Sequence, residues 1–598
     1  MKHFTTVALA ALLLASSAVA QNVTTPTGEW AKFVTNQTTS GTMTNAIATT
    51  EDGSMTYWYG SAATKAAGDQ AFFDGEAVFT APIATERNNN TPIILAINDK
   101  GEKVWSAYCP YGDAVSNNGG IVILPDKSIV FVMVVRHDPL ALDHAITFVD
   151  ATGETYDMFP AVTEYRNVAI IGHLSAEGKL LGHSTIDVDP LDIDGTIVRA
   201  GITVDGVTAT PDGKILIYGN QRADFTYIQE NGEPILSRKN DFANVGWDGN
   251  AQKDAGDMYM AWLTPEGRST GNPYSFNGRG YTNGHIYSAV YDESGNLYIY
   301  GRYTLVEGQE VKGSILTRDN GPVDICSTGK IDLFVARFNG NDNMPKWMKF
   351  IVGVTHNNSC IVQNSGLSIG NGNLWLTAQY NGKFYPYGDE TKEIHSTLTM
   401  REGMLVRFNP ENGEWIKGVS SYDSFPTNGL SAYQDAIISP KATDKVYVFG
   451  YMMNAAVGVF LRSYDVETLK ADTDNAWSLV TGVKGDGFNA AVPIAFNIAY
   501  APKTGTAYTD ARGRGGMCAA GLTAATSGSA FGIQLAKFQL PQGVFSGVSD
   551  IAVDDSDADN ANAPVEYYDL QGRRVSDTPA AGLYIRRQGT RVTKVLVK

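Results

Sequence analysis

Gly206-Val-Thr-Ala-Thr-Pro-Asp-Gly-Lys-Ile-Leu-Ile-Tyr-Gly219 decides how this chain of 598 residues is read. Two apolar runs flank a tight Pro-Asp-Gly turn, and β-branched and aromatic residues fill both arms, which is the chemistry of a two-strand hairpin. The phrase returns as Ile286-Tyr-Ser-Ala-Val-Tyr-Asp-Glu-Ser-Gly-Asn-Leu-Tyr-Ile-Tyr-Gly301, and again over 45–60, 120–135, 366–380, 433–450 and 496–510. A second phrase, a strand, a Gly turn and often a tryptophan, alternates with it over 93–105, 168–181, 257–268, 332–347, 403–415, 458–469 and 531–540. Seven alternating pairs predict an all-β chain of seven four-stranded sheets. A repeated β unit protects its edges by radial arrangement, so the expected fold is a seven-bladed β-propeller.

The last repeat lacks a strand after Phe538, and Glu29-Trp-Ala-Lys-Phe-Val34 reads like Lys346-Trp-Met-Lys-Phe-Ile351. The N-terminal segment is therefore expected to supply the missing strand and close the ring. Turns inside each hairpin are short, whereas the connections 61–92, 220–256, 302–330 and 381–402 are long. In a propeller these share one face with the crossovers 269–285 and 352–365, and that elaborated face is where a ligand is expected. Phe72, Phe73 and Phe384 belong to these loops, as do Trp247, Tyr274, Phe276, Tyr281, Tyr385 and Tyr387. Aromatic faces beside amide groups suit sugar rings and anchor protein partners. The last six, with His285 at the start of an innermost strand near the axis, form the candidate ligand-binding set. The competing uses are packing of each loop onto the body and, for His285, a structural hydrogen bond.

Lys2, the apolar run 7–14 and Ala18-Val-Ala20 read as a signal peptide over residues 1–20, cleaved near Gln21. No later segment offers about 20 consecutive apolar residues, so no transmembrane helix is expected. Formal charge is −17, although residues 567–598 carry seven Arg or Lys against Asp569 and Asp577. The acidic body repels phosphate backbones and anionic lipid, which argues against nucleic acid and membrane surfaces as partners. Cys109, Cys326, Cys360 and Cys518 show no metal-type spacing; a Cys326–Cys360 bridge and buried thiols both remain open.

The repeats resemble the propeller repeats of secreted Bacteroidota proteins, in which an inner hairpin ending in tyrosine and glycine precedes an aspartate-led strand and a terminal tryptophan; Asp332 to Trp347 is the nearest match. The tail Glu566-Tyr-Tyr-Asp-Leu-Gln-Gly-Arg-Arg-Val575, Gly582-Leu-Tyr-Ile585 and Lys594-Val-Leu-Val-Lys598 resembles the C-terminal sorting domain of the type IX secretion system, through Tyr568, Leu570, Gly572, Gly582, Tyr584, Ile585 and Lys594 to Lys598. That likeness implies the type IX machinery as a partner, passage across the outer membrane, and release or attachment at the surface. The expected organisation is a signal at 1–20, a propeller over 21–545, an acidic linker over 546–565 and a sorting domain over 566–598.

Several motifs point nowhere. Gly366-Leu-Ser-Ile-Gly370 fits a serine-hydrolase elbow but lies in a strand rather than a strand-to-helix turn. Gly513-Arg-Gly-Gly516 lacks the lysine and helix of a phosphate loop. Asp555 to Glu566 spaces acids like a calcium loop without its sixth-position Gly, and Asp187, Asp189, Asp192 and Asp194 read better as a solvated acidic loop, so calcium is a minor expectation and no other cofactor is implied. No catalytic residues are assigned. The expected function is a monomeric, non-catalytic binding or adhesion protein recognising glycan or protein; the alternative is a secreted hydrolase or lyase acting on polysaccharide.

Overall fold

The computed structural model describes residues 26–541, less loop stretches of which 238–256, 306–313, 422–429 and 482–490 are the longest. Beyond these it describes 565–568, 574–575, 582–588 and 591–597. The chain divides into two compact units, Met1–Pro541 and Gln542–Lys598. Strands build the described part of both, with one 3₁₀ turn at Glu390–Lys392, and no described helix is long and apolar enough to cross a membrane.

The deciding stretch forms the expected hairpin, with Ala209 opposite Ile215 and Val207 opposite Ile217. A third strand, Asp257–Leu263, pairs with its second arm, and Tyr274–Phe276 completes a four-stranded antiparallel meander. The same order recurs over residues 42–108, 120–188, 281–353, 367–420 and 430–481. A seventh meander has three strands over 491–539 and takes its fourth from Thr27–Asn36, which lies antiparallel to Phe531–Gln539 with Val34 opposite Ile533.

The first strand of each meander lies beside that of the next, and the first strand of the seventh lies beside that of the first. Apolar clusters follow the same cycle. Phe131 and Tyr57 share the core between meanders one and two, Trp375 and Phe460 that between five and six, and Trp58 and Tyr508 that between seven and one. Every core thus lies between two consecutive sheets, and burial of each large side chain contributes roughly 1.5–3 kcal/mol to holding them together.

Two repeated features of the sequence have a packing cause. The first strand carries a bulge at Asn45, Asp205, Tyr287 and Gln434, and the glycine that ends the first phrase, Gly60, Gly219, Gly301 or Gly450, stands opposite. A Cβ on Gly60, Gly219 or Gly301 would come within 2.3 Å of a backbone oxygen of that strand. Only glycine fits there. The fourth-strand tryptophan, in turn, reaches the next meander: the Nε1–H of Trp30, Trp105 and Trp347 donates to the carbonyls of Asp99, Ala176 and Pro410 at 3.0–3.2 Å.

The long connections differ from the loops expected of them. Gln70–Phe73 with Glu76–Thr80, Phe225–Ile228 with Pro234–Ser237, and Lys383–Pro386 with Ile394–His395 are hairpins, and Ser314–Thr317 with Gly321–Asp324 is another. The first three cross to the preceding meander and extend its outermost strand, as does Ile146–Val149 with Thr155–Phe159. These straps satisfy the open edge of a neighbour, which a loose loop would leave unpaired.

The C-terminal unit contains a three-stranded antiparallel sheet, Val565–Tyr568, Gly582–Gln588 and Arg591–Val597. Tyr568, Ile585 and Lys594 form one cross-strand row, and Tyr584 faces Val595. Leu570, Gly572 and Lys598 lie outside the described residues.

Candidate functional site

The end of the ring that carries the long connections also carries the start of each first strand, and His285 lies there, on the first strand of meander four. Its side chain is nearly buried. Nδ1 lies 2.6 Å from Oδ2 of Asp205, the bulge residue of meander three, whose carboxylate is equally enclosed. A carboxylate only accepts, so the hydrogen of the imidazole sits on Nδ1. The ring stacks on Tyr287 at 5.2 Å, and the Arg302 guanidinium stands 5.3 Å from the other partner of that stack, the Tyr287 ring centroid. Arg302 lies opposite His285 across the strand pair, and its buried Nε has no hydrogen-bond partner among the described residues. Beside this group, Asn220 donates through Nδ2 to the Gly284 carbonyl at 2.6 Å.

Comparable polar links join other first strands. Asn45 donates to Asn118 O at 2.8 Å between meanders one and two, Gly119 N–H to Val204 O between two and three, and Leu367 N–H to Ser288 Oγ between four and five. At the closing seam the Trp58 indole donates to Thr44 Oγ1 at 2.8 Å, and Thr44 donates to Asp510 at 2.5 Å. Asp510 also accepts from the backbone and side-chain nitrogens of Asn497. Burial pushes this carboxyl up to about 6 in spite of those donors. At the bulges of meanders one and three, Asn45 and Asp205 turn toward the adjoining sheet, where each finds a partner.

Of the other residues in the candidate set, Tyr385 and Tyr387 are the two whose side chains the structure describes. Trp247 lies outside the described residues, while Tyr274 and Phe276 form a fourth strand and Tyr281 opens the strand of His285; the structure describes the backbone alone at these three. Tyr385 is on a strap with its ring in the core shared with Phe350 and Val352, and Phe73 and Phe384 are likewise buried. Tyr387, two residues on, is 57% exposed. The strap aromatics thus mostly fix their hairpins to the body. Cys109 is a buried free thiol, pushed up to about 12 by desolvation; Cys326 and Cys518 side chains, and that of Cys360, lie outside what is described. Asp187 pairs with Arg166 at 3.0 Å, and Glu566 accepts from Tyr568 and pairs with Arg574. Most of the acidic stretch 555–566, and the Asp189, Asp192 and Asp194 side chains, lie outside the described residues.

Sequence reasoning reached His285 but missed Asp205, Arg302 and Asp510. Asp205 immediately precedes the glycine that begins the deciding phrase, and Asp510 ends the seventh copy, so position within the repeat was the available signal.

No protein-family model and no curated protein matches the chain. Among solved structures it is similar to a protein of unknown function from Dyadobacter fermentans, at 13% identity and TM-score 0.35 over 72% of this chain and 95% of that one. It is also similar to the Dos1 propeller, at 7% identity and TM-score 0.36 over 87% and 97%, and to a Hadza microbial sialidase, at 10% and 0.32 over 87% and 91%. The architecture described above rests on the strand pairings themselves.

Proposed function

We propose that the seven meanders are the blades of a closed β-propeller, exported and carried to the cell surface or beyond by a type IX route, that acts as a non-catalytic binding or adhesion module. The strap hairpins carry this reading. They convert the longest connections into paired strands fastened to neighbouring blades, which gives the looped end a stiff platform, and the exposed Tyr387 stands on one of them. A rigid aromatic side chain on such a platform binds with little ordering cost, and a glycan or a protein is the ligand it suits. The test is an array of glycans and surface proteins probed with the full chain: saturable binding weakened at least threefold by Tyr387→Ala is expected, and an array without saturable binding discards the reading.

The His285–Asp205 pair favours one second reading, a polysaccharide lyase or hydrolase. An imidazole backed by a carboxylate is held in a single tautomer and can take a proton from a bound sugar. A screen on polymeric substrates with His285→Gln as control separates the two; a uniformly negative screen removes the enzymatic reading.

A further inference from the structure

Several arginines that the ring partly encloses are matched. Arg337 donates to Glu411 at 2.7 Å, Arg407 donates to Asn373 at 2.6 Å and pairs with Glu467 at 3.0 Å, and Arg166 pairs with Asp187 at 3.0 Å. Arg302 differs. Half-buried on the second strand of meander four, it has neither a hydrogen bond nor an ion pair among the described residues, and its guanidinium touches the Tyr287 ring instead. Its Nε is enclosed, and the cost of stripping water from a charged donor is returned only in part by an aromatic face. Nη1 and Nη2 are not enclosed, which leaves the outer fork for a molecule outside the chain.

Position decides what such a molecule meets. Arg302 stands directly opposite His285, and side chains opposite one another in an antiparallel pair rise from the same face about 5 Å apart. Tyr287, at the bulge beside them, lies within 13° of parallel to the imidazole, with ring centroids 5.2 Å apart, and so holds both neighbours in place. Asp205, which takes Nδ1 of His285 at 2.6 Å, makes no ion pair with Arg302, so the fork is not closed from within. A planar guanidinium in this state suits a carboxylate, which it binds through two parallel hydrogen bonds. The imidazole adds a polar group one cross-strand spacing away, where a hydroxyl close to the acid would fall. A sugar acid presents both as one rigid group, whereas a glutamate side chain brings the charge alone and must first be frozen out of several rotamers.

We propose that Arg302, with His285 beside it, forms a subsite for the carboxylate of an acidic sugar, a uronic acid unit of a glycan, at the looped end of the ring. This rests on the reading of the chain as a glycan-binding module and names the class of ligand. It does not involve Tyr387, whose strap pairs with the outermost strand of the same meander.

Calorimetric titration of the full chain with tetrasaccharides of polygalacturonate, alginate and hyaluronan, each beside its neutral methyl ester, tests it. At least one acid is expected to saturate roughly tenfold more tightly than its ester, the gain from two charge-assisted hydrogen bonds, with the gap narrowing at about 0.5 M salt. Arg302→Gln should erase the gap and leave the affinity for the ester and the melting transition in place. Arg302→Lys, which keeps the charge without the fork, should restore only part of it. Tyr387→Ala, which tests the wider reading, should leave the gap unchanged. Equal affinity for acid and ester, a gap that survives Arg302→Gln, or a hexaglutamate peptide binding as tightly as the best sugar would each overturn the proposal. Saturation by neutral glycans alone sinks this subsite and spares the module reading, whereas saturation by no glycan removes both.

Discussion

At the scale of single residues, Asp510 is the most consequential group outside the apolar cores. It is fully buried at the seam between the last meander and the first, with Thr44 on one side and Asn497 on the other. Its folded-state pKa of about 6 stands above the 3.8 usual for an aspartate, so the folded chain holds this proton more tightly than the unfolded chain does. The stabilisation is complete below about pH 4 and is lost as pH rises through about 6; two pKa units amount to about 3 kcal/mol. Asp510→Asn keeps the shape without the titration. The variant is therefore expected to match the parent near pH 4 and to exceed it by roughly 1–3 kcal/mol at pH 7.5, as read from denaturant midpoints across that range. Coincident midpoints at pH 7.5 would show that the donors, rather than burial, set the state of this carboxyl. Such a pairing was illegible in the sequence because Thr44 and Asp510 lie at opposite ends of the ring domain, and only closure brings them together.

At the scale of elements, the alternation of apolar runs and turns exposed the hairpins, since period-two patterning and turn chemistry act locally. The straps were hidden for the opposite reason. Gln70–Phe73 and Lys383–Pro386 are four residues long and gain their register from a strand in the preceding meander, so no local pattern marks them. The tryptophan was visible as a repeated letter, but its function as a latch was not. Each indole donates to a carbonyl of the following meander's turn and lies flat against that turn's glycine. A Cβ on Gly178, at φ +85°, would meet the Trp105 ring at 2.8 Å, whereas one on Gly153, at φ +84°, meets nothing within 4 Å. Both Gly→Ala changes carry the same backbone strain, on the order of 1 kcal/mol, but Gly178→Ala must also displace the indole. Gly178→Ala is expected to lose about 1–3 kcal/mol more than Gly153→Ala in equilibrium unfolding, and equal losses would count against the latch.

At the scale of the whole molecule, the order of the chain and the order of the ring disagree at one place. Thr27–Asn36 comes first in sequence and pairs last in space, with Ala31 and Phe33 in the core between meanders six and seven and Trp30 and Val34 in the core between seven and one. One strand thus feeds two cores and carries the latch of Trp30 to Asp99. Thr27 stands opposite Gln539, close to where the ring segment ends, so a short linker from Pro541 to Pro26 would make the two strands an ordinary hairpin. A permuted chain running from Gly41 to Pro541 and then through residues 26–38 keeps every strand pairing of the first unit and merely moves the break. It is expected to unfold within about 1 kcal/mol of the parent, because the energy lies in the closed set of contacts rather than in chain order. Deleting 26–38 instead opens two cores and an edge at once, a loss of several buried large side chains at roughly 1.5–3 kcal/mol each. Alkylation of Cys109, whose buried thiol is pushed up to about 12, reports the outcome by mass spectrometry: slow in the parent and the permuted chain, fast in the deletion. If the deletion protects Cys109 as well as the parent does, end-to-end pairing is not what holds the ring shut.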